Sequence, residues 1–166
     1  MAQEPEAELV IRQAEPRDLP VLGRLGALMV TTHHQYDPDR FMEPSAGVAE
    51  GYAWFLGREL EDSDVVVLVA ERAGQVVGYV YAGLEPESWK ELRPPAGFIH
   101  DLVVEAGARR QGVATRLLEE AAAWLENRGA PRVMLWTAQK NDGAQRLFER
   151  IGFRRTMIEM TRERRS

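Results

Sequence analysis

The run Arg109-Arg110-Gln111-Gly112-Val113-Ala114-Thr115 lies between a short apolar stretch and a long amphipathic one. That is where a chain leaves a strand and enters a helix. Small residues there leave the backbone bare, and the first N–H groups of a helix lack partners and lie at the positive end of its dipole. Such a turn can cradle a phosphate or pyrophosphate by main chain, with Arg109 or Arg110 adding charge. A glycine in this place is equally consistent with a tight turn and nothing more.

Two groups able to move a proton precede the turn, His100 and Asp101. Histidine titrates near neutral pH and suits a general base, although a strand histidine can also be a packed interior residue. Asp101 suits an ammonium partner or neighbouring backbone. Consecutive side chains of a strand point to opposite faces, so only one of the two is expected to face a substrate. Near the N-terminus, Thr31 to Met42 mixes aromatic, acidic and basic groups. Tyr36, Asp37 and Phe41 suit an amine through cation–π contact and charge pairing. Arg40 suits a carboxylate-bearing acceptor instead.

Several chemistries are disfavoured by what is missing. The chain contains no cysteine, so it can form neither a disulfide nor an acyl-cysteine intermediate. His33 and His34 are adjacent, a poor spacing for a shared metal ion, and a place at a helix end is expected for them; no metal is expected. Gly-x-Gly-x-x-Gly, the P-loop pattern and Gly-x-Ser-x-Gly are all absent.

The elements that must position these groups follow from pattern. A first strand is expected over residues 8–14, and Glu15-Pro16-Arg17-Asp18 turns the chain into a helix whose apolar face carries Leu19, Leu22, Leu25, Leu28 and Met29. An irregular loop over 31–44 and a helix from Val48 to Leu60 come next. Asp64 to Arg72 and Gln75 to Leu84 form a hairpin around Ala73-Gly74, and residues 97–104 form a buried central strand. Val113, Leu117, Leu118, Ala121, Trp124 and Leu125 make one stripe of the helix that follows, stopped at Gly129 and Pro131. A strand over 132–137, a helix over 141–151 and a last strand over 152–161 complete the chain.

The 166 residues suit one domain spanning 1–166, with residues 1–7 a loose acidic leader. Hydrophobic residues at 45% and charged residues at 28% are ordinary for a water-soluble protein, and no apolar run is long enough to span a membrane. The leader lacks the features of a secretory signal, which makes the cytoplasm the expected location. A net charge of -5 argues against bulk nucleic-acid binding. Arg154, Arg155, Arg162, Arg164 and Arg165 nevertheless make the C-terminal end locally basic, read as a solvated edge. Met157, Ile158 and Met160 suit either an apolar edge that pairs with a second copy or closure of the monomer's own core.

Arg109-x-x-Gly112-x-Ala114, between a strand and a helix, resembles the Gln/Arg-x-x-Gly-x-Gly/Ala motif of the GNAT superfamily of acetyl-CoA-dependent N-acetyltransferases. The resemblance extends through Asp101-Leu102-Val103-Val104, the motif helix, Trp136, Asn141 and the run from Leu147 to Phe153. It implies an α/β (α+β) fold: a mixed, mostly antiparallel central sheet flanked by helices, with a splayed parallel strand pair around the CoA site. The implied activity is transfer of an acetyl group from acetyl-CoA to a primary amine of a small molecule, amino acid or peptide. Without cysteine, direct attack in a ternary complex is expected. A non-catalytic acyl-CoA sensor is the alternative.

The resemblance assigns the cofactor to Leu102, Val103, Val104, Arg109, Arg110, Gln111, Gly112, Val113, Ala114, Thr115, Asn141, Ala144 and Phe148. It makes the backbone N–H near Val103 the oxyanion donor. Asn141 also suits a plain helix cap. Acceptor choice falls to the 31–42 loop and the hairpin, hence to Tyr36, Asp37, Arg40, Phe41 and Tyr81. Many members carry a tyrosine that protonates the departing thiolate where this chain has Phe148, leaving water or one of Tyr36, Tyr52, Tyr79 and Tyr81 for that step.

Overall fold

The computed structural model describes residues 7–164. Its elements run β1 (Leu9–Gln13), α1 (Leu19–Tyr36), α2 (Val48–Glu59), β2 (Val65–Arg72), β3 (Gln75–Glu85), β4 (Ala96–Val104), α3 (Val113–Asn127), β5 (Val133–Leu135) and α4 (Asp142–Arg150). The strands form one five-stranded sheet in the order β1-β2-β3-β4-β5. Its pairings are antiparallel except for β4 with β5, which run parallel.

Each face of the sheet buries its own apolar cluster. On one face Val113, Leu117, Leu118, Ala121 and Leu125 of α3 pack on Val66, Leu68, Val80 and Ile99. These are five of the six residues of the stripe that the helical period marks out, and all five are essentially sealed from solvent, while Trp124, the sixth, is half-buried. On the other face Leu22, Leu25 and Leu56 of α1 and α2 pack on Val67, Val69, Tyr79 and Val103. Truncating any fully buried leucine here costs about 2–5 kcal/mol.

Helices α1 and α2 come together over glycine. A Cβ on Gly23 would collide with Ala49 O, and one on Gly26 would lie inside the ring of Tyr52. Gly26 is therefore the seat of Tyr52, and this close approach fixes where the phenol of α2 reaches.

A bulge interrupts β4. Tyr81 of β3 faces Asp101 while Ala82 faces Ile99, so His100 is an extra residue with no partner in the ladder. It inverts the side-chain phase of the strand. Gly97 and Ile99 before it face α3, and so do Leu102 and Val104 after it. The parallel pairing with β5 also stops here, at Ile99 with Leu135, and beyond that point the two strands part.

Three expectations need correction. Helix α1 runs on through Tyr36 where an irregular loop is expected from Thr31. The hydroxyls of Thr31 and Thr32 donate to the carbonyls of Ala27 and Leu28, at 3.0 and 2.8 Å, which lets polar residues stay helical. The strand expected over 132–137 spans three residues, because β4 pairs with it only as far as its own bulge. No strand forms over 152–161: residues 154–164 are exposed and join no strand ladder among the described residues. Their pattern is strand-like, but no backbone hydrogen bond ties them to a sheet edge. The expected leader lies outside the described residues except for Ala7, and Arg165 lies outside them as well.

Candidate active site

The parting of β4 from β5 opens the sheet beside a cavity of about 340 Å3. His100, Asp101 and Leu102 line it from β4; Asn141, Ala144 and Phe148 from α4 and its approach; His33 and Phe41 from α1 and the loop beyond. The bulge explains why His100 and Asp101 share a wall: the extra residue cancels the alternation that would have sent them to opposite faces.

Asp101 is 7% exposed and meets no cation of Lys or Arg. Tyr52 and Tyr79 both donate to its Oδ2, at 2.5 and 3.1 Å. Its Oδ1 has no hydrogen-bond partner among the described residues, and Asp101 lines the cavity. Burial pushes the carboxyl above the usual range for aspartate, opposed by the two phenols and by the charge of His100 and His33. Burial first, and then the charge of Asp101, hold the phenols of Tyr52 and Tyr79 well above their ordinary range.

His100 is held flat between two rings, stacked on Tyr81 at 4.8 Å and on Phe98 at 5.0 Å. Its Nε2 lies 3.0 Å from Glu85 Oε1. Tyr81 does not line the cavity; its hydroxyl donates to Glu59 at 2.7 Å, so it buttresses His100 from behind.

The open edge of β4 has a definite phase. Glu105 N–H donates to Val77 O at 2.9 Å, and alternate residues of an antiparallel ladder share its direction. Val103 and Asp101, opposite Tyr79 and Tyr81, therefore turn their amides toward β3. Leu102 and Val104 turn theirs outward, and Val104 O confirms this by accepting from Arg109 Nε at 3.1 Å. The expected oxyanion donor is corrected accordingly. Val103 N–H is spent inside the sheet and its side chain is core, whereas Leu102 N–H faces the gap left by β5.

That edge leads to the N-terminus of α3. Arg110 and Gly112 both take left-handed backbone, at φ 61° and 77°, and Gly112 ends the turn as the helix cap. No side chain caps the helix and its first turn carries no acid. The amides of Val113, Ala114 and Thr115 are thus left pointing out of the helix end. Gln111 is occupied internally, donating to Gly107 O at 3.1 Å and accepting from Arg72, so its side chain shapes the loop. Asn141 caps α4 by accepting from Ala144 N–H at 3.2 Å, and it lines the cavity as well.

The expected acceptor residues divide. Phe41 lines the cavity; Tyr36, Asp37, Arg40 and Tyr81 do not. Arg40 lies over the Phe41 ring at 5.0 Å and both ends of its fork are taken by Glu159. Sequence reasoning left out Met29, Val30, Met42, Trp136 and Thr137, all of which line the cavity, and named Tyr52 only as one of four tyrosines that could protonate the thiolate. They sit in runs that read as an apolar helix face, a loop or a strand, and the one available signal was Gly23-x-x-Gly26, which marks where α2 can press Tyr52 inward.

The sequence profile of the Acetyltransferase (GNAT) family matches residues 29–153. An uncharacterized N-acetyltransferase of Bacillus subtilis (strain 168), YhfO, is 30% identical over 145 residues, covering 86% of this chain and 88% of its own. A mycothiol acetyltransferase of Thermobispora bispora is 30% identical over 92 residues, 55% of this chain and 31% of its own length. Among solved structures, the aminoglycoside N-acetyltransferase AAC(6')-Iy in complex with CoA superposes with a TM-score of 0.75 at 19% identity, covering 99% of this chain and 100% of that one. A protein described as a predicted acetyltransferase, with acetyl-CoA, from Clostridium acetobutylicum superposes with a TM-score of 0.71 at 16% identity, covering 93% and 96% of the two chains.

Proposed function

This chain belongs to the acetyltransferase (GNAT) family, and from that premise we propose that it moves an acetyl group from acetyl-CoA to a primary amine by direct attack within a ternary complex. The observation that carries the proposal is the continuity of the site. The uncapped end of α3, the outward amides of Leu102 and Val104, and the unpartnered Oδ1 of Asp101 follow one another along the open side of β4.

The pyrophosphate of the co-substrate is assigned to the amides of Val113, Ala114 and Thr115, with charge from Arg109 and Arg110. The pantetheine arm is assigned to the free amide edge of Leu102 and Val104 and to Asn141, Ala144 and Phe148 across the gap. The amine nitrogen bonds to the acetyl carbon as the C–S bond breaks. Leu102 N–H steadies the oxygen that becomes anionic, a donor that needs no reorganisation.

Asp101 is our choice of base. A carboxylate held above the usual aspartate range is a better proton acceptor than an ordinary one, and its free Oδ1 can take the amine's proton directly or through one water. That proton balances the one taken up by the thiolate. Phe148 cannot donate, and Tyr52 has its hydroxyl committed to Asp101. His100, held by Glu85 and two rings, serves as a wall and a nearby positive charge when protonated.

We place the enzyme in the cytoplasm, the compartment that supplies acetyl-CoA, as one catalytic domain. We also assign the exposed segment bearing Met157, Ile158 and Met160 to pairing with a second copy, which sedimentation at several concentrations tests. The transfer reading is tested by melting the protein with and without acetyl-CoA and by following thiol release with an amine panel. The chain has no cysteine, so every thiol detected is CoA. A rise in melting temperature and amine-dependent release are expected; no stabilisation by acetyl-CoA would sink the proposal.

A further inference from the structure

The cavity's apolar lining includes Met29, Phe41, Met42 and Trp136, the last two largely exposed at its rim, and its polar lining includes His33 and Asp101. Its volume of about 340 Å3 is at the low end of the ~300–1,000 Å3 typical of small-molecule sites, and the acetyl end of the co-substrate must share it. Asp101 is the one carboxylate in the wall, and no Lys or Arg lines it among the described residues.

The guanidinium best placed to serve the cavity is that of Arg40, next to the lining residue Phe41. It is already engaged by both oxygens of Glu159, with Nη2 to Oε2 at 3.0 Å. A carboxylate on the acceptor would find no Lys or Arg, only the imidazoles of His33 and His100, and would face the charge of Asp101. An amino sugar fares little better: beside Asp101 only His33, His100, Thr137 and Asn141 offer polar partners around the methionine, phenylalanine and tryptophan walls, few for a full set of hydroxyls and extra ammonium groups. An ammonium on a compact apolar body meets none of these penalties: its charge pairs with Asp101 and its body packs on the aromatic walls.

We propose that the acceptor is a primary amine on a small apolar or aromatic body without a carboxylate, an arylalkylamine or alkylamine, selected by the walls of Met29, Phe41, Met42 and Trp136 around Asp101 while Glu159 keeps Arg40 occupied. This inference rests on the transfer reading above and narrows it.

The test compares matched acceptors by thiol release at saturating acetyl-CoA. 2-Phenylethylamine and phenylalanine differ by one carboxylate, and glucosamine supplies the polar contrast. The amine is expected to exceed phenylalanine and glucosamine in kcat/KM by roughly 100-fold or more. Phenylalanine or glucosamine within about tenfold of the amine, or above it, would overturn the inference while leaving transfer itself intact. No release with any of the three, or with longer alkylamines, despite stabilisation by acetyl-CoA, would overturn both. In a second arm Glu159→Gln frees Arg40 on the surface. The phenylalanine value should then rise several-fold with the amine value unchanged; an unmoved ratio would remove the ion pair from the account of selectivity.

Discussion

Asp18 and Asp101 are the two charged residues that are buried as a whole among the described residues, at 5% and 7% exposure, and they are kept in opposite ways. Asp18 sits at the turn into α1, where Arg12 grips both of its oxygens at 2.7 and 3.0 Å and Glu15 N–H donates to Oδ2 at 2.8 Å. The hydrogen bond from Arg12 leads in holding its carboxyl below the usual range, against the pull of burial. Asp101 has two phenols on one oxygen, a bare second oxygen and no guanidinium, and burial holds it above that range. Burial alone therefore does not make a working group. A carboxylate whose charge is fully met inside the protein braces the fold, and one whose charge is half met keeps its capacity for a substrate.

The contrast breaks most sharply at Asp101. Asp101→Asn keeps the shape and both phenol contacts but removes the proton acceptor, so turnover should fall by about 10²–10⁴ while acetyl-CoA still raises the melting temperature. Steady-state kinetics alongside the melting curve check this; turnover within a factor of a few of the parent would shift the base to His100 or to water.

At Asp18 the expected loss is stability instead. Asp18→Asn strips the charge-assisted bonds from Arg12 and weakens the turn into α1, at a cost of about 2–3 kcal/mol in urea unfolding. Its kcat/KM under folding conditions should match the parent, since nothing in the site touches it. Lost activity in a folded variant would contradict the division drawn between the two carboxylates.

Tyr52→Phe sharpens the comparison from the partner's side. Losing one donor to Oδ2 destabilises the ionised form of Asp101, so the acid limb of the pH–rate profile should move to higher pH. Turnover at neutral pH should drop by about tenfold, in line with one hydrogen bond to a charged group. A profile that stays in place would detach Tyr52 from the titrating group.

The smallest effect is on stability against pH, and the two carboxylates give it opposite signs. Asp101 has a raised pKa in the folded state, so its contribution is full below its unfolded value of 3.8 and is lost as pH rises through the folded value. Asp18 has a lowered one, so its contribution is full above 3.8 and is lost as pH falls through the folded value. Unfolding free energies measured from acid to neutral pH should show Asp101→Asn removing a loss on the rising side. Asp18→Asn should remove one on the falling side.

Much of this was legible in order along the chain. The hairpin of β2 and β3, the stripe of α3 and the phosphate turn at Gly112 all depend on residues a few positions apart, and period and turn chemistry report such neighbours directly. The residue after which β4 parts from β5 was not legible, and neither was the failure of residues 152–161 to pair, because a strand-like pattern says nothing about whether a partner edge lies within reach. The phase of β4 was misread for a related reason. Alternation is a rule for an unbroken ladder, and whether a ladder is broken depends on the match between two strands.

By itself, then, the sequence determined the elements, their order, the helix end that suits a pyrophosphate and, through Arg109-x-x-Gly112-x-Ala114, the family. Tertiary structure alone decided which groups come together at the site. The bulge at His100 turned Asp101 into the cavity, Gly26 let Tyr52 reach it from 49 positions away, and Glu159 occupied Arg40 across 119. The reason is physical: a helix or a turn is stabilised by neighbours in sequence, whereas the charge state and freedom of a buried carboxylate are set by whatever the fold packs against it.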